Sequence, residues 1–239
     1  MATLGWDVVA TDIASVVHNV LRPNIQRNTR LLHERNGSIH TDCTGTVQVR
    51  ELDWTVEPKE WTWDDPACIA SPQHKNRACT EMVNRKDCLN HKSDATESKL
   101  LFPPFELIVT SDTLYSASLV TPLLRTLHHL CLLSTSTPPH VPDTASDVVE
   151  GKPTEGSPFT TPSKSPIIYL AIENRDPGLV SSFLTEAKEE WGFSLSRIPY
   201  RRIIRAMERG GLNWAKSEWE GVEIWKLQIG SSAFRNRKI

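Results

Sequence analysis

Long apolar runs are missing from this sequence. No stretch approaches the roughly 20 residues of a membrane span, so no spanning helix is expected. Residues 1–13 lack a basic region followed by an apolar core, so no secretory signal is expected either. An excess of charge of one sign is missing as well. The formal net charge is −2, which gives no global attraction to nucleic acid or to an anionic membrane. Cysteine is scarce: five residues, an odd number with no C-x-x-C pair, argue against a disulfide framework. A reducing compartment, cytosol or nucleus, fits that usage. Apolar residues reach only 38%, low for 239 residues packed as one domain, so part of the chain is expected to stay unpacked.

What the sequence does contain is a series of short β-branched runs, most followed by helical spacing. The most informative is FELIVTSDTLY, residues 105–115. Leu107-Ile108-Val109, bounded by Pro103-Pro104 and by polar residues, reads as a buried strand of a parallel sheet. Ser111, Asp112 and Tyr115 follow it at once. Ligands of open α/β sheets sit beyond the carboxyl ends of the strands, where a carboxylate and a phenol are well placed to meet one. A turn that merely supports the next helix, started by Ser116 or Ser118, is the competing account.

Three further runs share this form. Residues 7–11 read as a strand closed by Asp12, ahead of a helix with Ile13, Val16, Val17, Val20 and Leu21 on one face. Asp12 could cap that helix or accept hydrogen bonds from a ribose; both roles are compatible. Pro23 is expected to end or kink the helix near Leu21, with a second piece over residues 24–34. Residues 46–52 read as a strand ending in Asp53-Trp54, and Trp54 alone is best explained as a core residue. Residues 167–173 form a strong strand. Asp176 as cap, Pro177 at the first helical position, and Leu179, Val180, Phe183, Leu184 and Ala187 then define a helix.

In that order VVATDI, VRELDW, FELIVTSDTLY and IIYLAIENRDP resemble the seven-strand, S-adenosylmethionine-dependent methyltransferases, within them the lysine-methyltransferase-like family. The resemblance covers residues 6–229, and Asp112-Thr113-Leu114-Tyr115 matches the family's D-x-x-Y element. It implies an α/β fold with a Rossmann-like methyltransferase sheet. It implies that Asp12 holds the ribose of S-adenosylmethionine, that Asp53 and Trp54 form an L-D-W element with the indole against the adenine, and that Ser111 borders the cofactor. Asp112 and Tyr115 become the catalytic pair, with a protein lysine side chain as substrate. Glu173 and Arg175 would flank the substrate channel or pair with each other. The expected protein is a monomer of the cytosol or nucleus, with no nucleic-acid or membrane partner. A non-catalytic methyltransferase-like interaction module and a methyltransferase for small molecules are the alternatives.

The front of the family pattern is missing. A first strand, central in the sheet between the family's second and fourth, should lead into a glycine-rich loop whose bare backbone holds the methionine end of the cofactor. No E-x-G-x-G-like run occurs. The expectation is therefore an incomplete or inactive copy, with a gap in the sheet or two strands forced together.

The rest of the chain is read from composition. Pattern is lost over residues 55–104, and residues 66–99 are expected to be a polar insertion, partly mobile. Cys68, His74, Cys79, Cys88 and His91 lie in it, but only Cys88 and His91 have the spacing of a zinc pair, so no metal site is expected. Residues 119–131 carry a broad apolar helical face, with His128 and His129 near its end. Residues 134–166, rich in Ser, Thr and Pro, are expected to be a disordered insertion. Residues 193–198 and 222–229 read as the last strands. Between them lies a short helix whose Arg201, Arg202, Arg205 and Arg209 form a solvated face.

Overall fold

β-Branched residues set the first sheet. Val8–Asp12 (β1) and Val47–Leu52 (β2) pair in parallel, Val8 opposite Val47 and Asp12 opposite Glu51. The computed structural model describes residues 1–35, 45–72, 99–136, 165–212, 214–215 and 219–230. They fall into two compact units, Met1–Phe102 and Pro103–Ile239. A third strand, Cys68–Ala70 (β3), adds to β2 in parallel and is buried throughout. The sequence pattern did not show it, since three residues are too few to display a period. His74, Cys79, Cys88 and His91 lie outside the described residues, whereas Cys68 is buried in β3.

The helical run after β1 does not break at Pro23. Ala14–Val16 (α1) passes through a π turn at Val17–Leu21 into Arg22–Arg35 (α2). In this turn the Arg22 N–H reaches back to the Val17 carbonyl, one residue further than in an α-helix. A widened turn just ahead of the proline absorbs the clash its ring would otherwise make with the preceding turn.

The core of this unit is Leu52, Val56, Ile69 and Ala70, with Val9, Trp54, Trp61 and Trp63 packed against it. Arg50, central in β2, is completely buried. Its guanidinium donates to the Trp63 carbonyl (3.2 Å) and to Gln48 Oε1 (3.1 Å), and lies 5.9 Å from the Phe102 ring centre. Gln48 Oε1 also accepts from the Leu101 N–H at 2.9 Å, and its Nε2 donates to the Lys99 carbonyl at 2.7 Å. One buried cation and one amide therefore tie residues 99–102 to β2.

In the second unit Leu107–Ser111 (β4), Ile167–Glu173 (β5), Phe193–Arg197 (β6) and Val222–Ile229 (β7) form a sheet of order β4-β5-β7-β6. β4 and β5 are parallel, and β7 runs antiparallel to both of its neighbours. Val120–Ser136 (α3), Pro177–Glu189 (α4) and Tyr200–Arg209 (α5) supply Leu123, Leu124, Leu127, Val180, Phe183, Ile203 and Met207 to the buried set, alongside Ile168, Leu170, Phe193 and Leu227 of the strands. The four arginines of α5 are exposed, as its pattern predicts.

Two boundaries move. α3 runs through Ser136, so His128 and His129 lie in its interior. His128 packs against Trp191 and Phe193, with ring centres 5.3 and 6.2 Å away. Ser134, expected in a loop, is fully buried; it donates to the Leu130 carbonyl and accepts the Phe105 N–H at 2.9 Å. Most of the two expected insertions, residues 73–98 and 137–164, lies outside the described residues.

The chain is thus α/β, with one parallel and one mixed sheet. Among the described residues no helix is long and apolar enough to cross a membrane.

Candidate active site

In the second unit the chain leaves β4 through Asp112, whose φ of 52° lies in the left-handed region. Aspartate tolerates that region better than most residues, and a non-glycine residue held there is a recurrent mark of a functional turn. The turn is fixed by its surroundings: the Asp112 N–H donates to the Ala171 carbonyl (3.2 Å), and buried Thr113 accepts from the Thr110 hydroxyl (3.2 Å). The Asp112 carboxylate makes no hydrogen bond among the described residues. Ser111 is exposed at the strand end, and Tyr115 keeps 69% of its surface in solvent.

β5 places the facing wall. Ser111 lies opposite Ala171 in the parallel register, so Ile172 and Glu173 extend just past it. A cavity of about 450 Å³ results, with Asp112, Leu114 and Tyr115 on one side and Ile172, Glu173, Arg175, Asp176 and Leu179 on the other. Arg175 and Glu173 are hydrogen-bonded to each other, so of their two expected roles the pairing is realised. The bond from Arg175 lowers the Glu173 pKa below the usual carboxylate value. The bond to Glu173 and then the charge of Glu173 raise that of Arg175, with Asp112 adding least. Asp176 accepts the Leu179 N–H at 3.0 Å and so caps α4, as its sequence position predicts. The lining is apolar at Leu114, Ile172 and Leu179 and carries three carboxylates against one guanidinium. Such a pocket favours a ligand with an aliphatic stem and a cationic or hydrogen-bond-donating end.

The first unit places its own candidates at the carboxyl ends of adjacent parallel strands. Asp12 ends β1, and Asp53-Trp54 follows β2. Asp12 Oδ1 accepts the Ile13 N–H (2.8 Å), but no side chain caps the helix that follows. Asp53 Oδ1 accepts both the backbone N–H (2.8 Å) and the hydroxyl (2.6 Å) of Thr55, closing a tight turn. Trp54 packs on the core of its unit, the role its residue type alone favours. Each aspartate makes these bonds through one carboxylate oxygen, so a second acceptor oxygen remains to meet a diol.

A further cavity of about 720 Å³ in the second unit, bordered by Asn174, Arg197, Tyr200 and Trp219, was not foreseen. Its residues come from β5, β6, α5 and the approach to β7, and no local motif links them. The aromatic residues at 200 and 219 were the available signal. No model of a known protein family matches the chain, and no curated protein matches it.

Proposed function

We propose that this chain carries the amine-acceptor site of an S-adenosylmethionine-dependent methyltransferase, most directly for a protein lysine side chain, and that, without an E-x-G-x-G-like run to hold the methionine end of the cofactor, its own methyl transfer is weak or absent. The observation that carries the proposal is the cavity beyond β4 and β5. Leu114, Ile172 and Leu179 suit the four-carbon stem of lysine, and the carboxylates of Asp112, Glu173 and Asp176 suit its nitrogen. The D-x-x-Y resemblance and this lining support each other, since one is read from sequence and the other from shape and charge. A protein acting in the cytosol or nucleus also suits the buried, free thiols of Cys68 and Cys131.

Within the first unit, Asp12 and Asp53 fit the ribose hydroxyls through the carboxylate oxygens left by their local bonds, with Trp54 as the proposed adenine contact. When bound, the cofactor supplies a methyl group on a positively charged sulfur. Asp112 accepts a hydrogen bond from the amine and aims its lone pair, which must be neutral to attack. The C–N bond would form as the methyl's bond to sulfur breaks and a neutral thioether leaves, and the resulting ammonium would then lose its proton to solvent. Tyr115 presents its ring or hydroxyl to the ammonium that develops. With Glu173 already bonded to Arg175, Asp112 is left as the carboxylate to orient the acceptor.

The test is transfer of label from S-adenosylmethionine to proteins of a cell lysate, run beside the same lysate with its lysines chemically blocked. Label that appears only in the unblocked lysate supports the reading; equal label in both rejects lysine as the acceptor. A second reading, a methyltransferase-like interaction module without catalysis, is favoured by one observation. Asp53 and Trp54 are both engaged in holding their own unit together. Calorimetric titration with S-adenosylmethionine separates the two: the module reading expects no heat of binding.

A further inference from the structure

The helix α5 carries four arginines and one carboxylate. At about 100° per residue, Arg201, Arg202, Arg205 and Arg209 share one arc of about 100° of its circumference. Ile203 and Met207 lie on the opposite side and are buried. All four arginines are exposed. Among the described residues none of them pairs with a carboxylate or makes a side-chain hydrogen bond, and Glu208, three residues after Arg205, makes no ion pair with it.

This arrangement works against the helix that bears it. No acidic residue stands in the first turn and no side chain caps the start, so Arg201 and Arg202 face the positive end of the helix dipole. Arg201 and Arg205, and again Arg205 and Arg209, are like charges four residues apart, which destabilises a helix further. Of the four, Arg209 alone sits in the last turn, where the dipole favours a cation. A solvated face needs polar residues, not four cations of one sign. An anion laid along the arc removes the repulsion, and local rules of stability are broken in this way where a surface serves recognition.

The spacing and the surroundings of the arginines select the anion. Arg201, Arg205 and Arg209 stand in a row, about 6 Å of helix rise between one and the next. Alternate side chains of an extended polypeptide project to one side about 6.6–6.8 Å apart, so carboxylates at alternate positions meet the row in register. Each guanidinium fork matches a carboxylate through two parallel hydrogen bonds. Single-stranded nucleic acid is held by aromatic rings set among the cations. This arc has none: its neighbours are Ala206 and Glu208, Tyr200 lines the cavity of about 720 Å³ instead, and Trp214 is stacked on Trp219. A helix bound to a membrane surface turns its apolar face to the lipid, whereas Ile203 and Met207 are buried in their own unit. We infer that α5 docks an extended acidic polypeptide, with carboxylates at alternate positions on Arg201, Arg205 and Arg209 and Arg202 beside them. The inference does not rest on the transferase reading.

The probe is an end-blocked nonapeptide of serine with three glutamates at alternate positions, labelled with a neutral dye and titrated into the full chain at low salt without cofactor. A second peptide carries the three glutamates at every third position, and a third carries glutamine in their place. Fluorescence anisotropy should show the alternate spacing binding several-fold tighter than the other and no binding of the glutamine peptide. Replacing Arg201, Arg205 and Arg209 together by glutamine should weaken binding of the first peptide about tenfold, the sum expected of three exposed pairs. The same variant should unfold in urea at an unchanged or higher midpoint, because it relieves repulsion. Equal binding of the glutamate and glutamine peptides, equal binding of the two glutamate spacings, or unchanged affinity in the variant overturns the inference. A lowered urea midpoint also overturns it, by assigning the arginines to the fold. Tighter binding of a single-stranded tetranucleotide, which carries the same three charges, or of anionic phospholipid vesicles, overturns it in favour of that partner. If the variant fails to fold, the peptide comparisons on the unaltered chain decide. Methyl transfer enters none of these measurements, so failure of the transferase reading leaves the outcome intact.

Discussion

Each unit follows its parallel strands with acidic residues, and the two units use them differently. In Met1–Phe102 these carboxylates are consumed locally. Asp12 bonds the next N–H, Asp53 takes both donors of Thr55, and Asp7, ahead of β1, takes the N–H and hydroxyl of Thr46, each at 2.8 Å. In Pro103–Ile239 the corresponding Asp112 is held at positive φ, and its carboxylate makes no hydrogen bond among the described residues. A carboxylate that satisfies its own turn stabilises the fold. One that is positioned by other groups and left without a donor is available to a ligand. On this comparison the second unit carries the recognition chemistry, and the first contributes at most the outer oxygens of its aspartates.

The comparison breaks most readily at Arg50, the strongest case of a polar group spent on structure. Arg50→Ala removes two charge-assisted hydrogen bonds and a buried stem, taking one donor from the Trp63 carbonyl and one from Gln48, whose Oε1 keeps the Leu101 N–H. A loss of about 4 kcal/mol is expected, read by urea denaturation. A loss below about 1 kcal/mol would show that residues 99–102 do not depend on this clamp.

The converse case is Asp112. Asp112→Asn keeps the shape and changes only the charge, so stability should hold while methyl transfer falls by about 3 kcal/mol, on the order of a hundredfold. Unfolding midpoints and labelled-cofactor transfer are measured on the same preparation. A stability loss with intact transfer would place Asp112 among the structural carboxylates.

Asp53→Ala should show the reverse pattern at smaller scale. Two hydrogen bonds within an exposed turn are worth about 1 kcal/mol of stability together. If Asp53 instead serves mainly the cofactor, stability stays unchanged and the calorimetric affinity for S-adenosylmethionine drops.

The elements that the sequence predicted well are those whose pattern and caps agree. β5 carries apolar residues on both faces, and Asp176-Pro177 marks the start of α4, so both boundaries were readable. β7 was readable from its apolar residues Val222, Ile224, Leu227 and Ile229, although these fall on both faces of the strand. Three features were not, each for a local reason. β3 is too short to have a period. Pro23 reads as a point that ends or kinks a helix, and the π turn that carries the helix past it leaves no signature in composition. Ser134 sits inside α3 because its hydroxyl satisfies a carbonyl of its own helix and an N–H from outside it. In the candidate site, Asp112, Tyr115 and the pair Glu173 and Arg175 all lie within four residues of a strand end, where a ligand-binding role is readable. Asn174 and Trp219 could not be anticipated, since 45 positions of sequence separate them and only β5 and β7 running antiparallel bring their ends together.

The smallest expected effect concerns the second unit alone. Burial on α3 disfavours the charged form of His129 and lowers its pKa below the ordinary 6.5. The unfolded chain therefore takes up this proton at a higher pH than the folded chain does. The neutral imidazole's contribution to stability is complete above pH 6.5 and is lost as pH falls from there through the lowered folded value. His129→Gln removes the titration. Urea midpoints measured between pH 7.5 and 5 should fall for the natural chain and fall less steeply for the variant. Amide exchange in α3 should report the change, and amide exchange in β1 and β2, which Asp7, Asp12 and Arg50 hold, should not. Equal pH slopes for the two proteins would mean that His129 is solvated in the folded state.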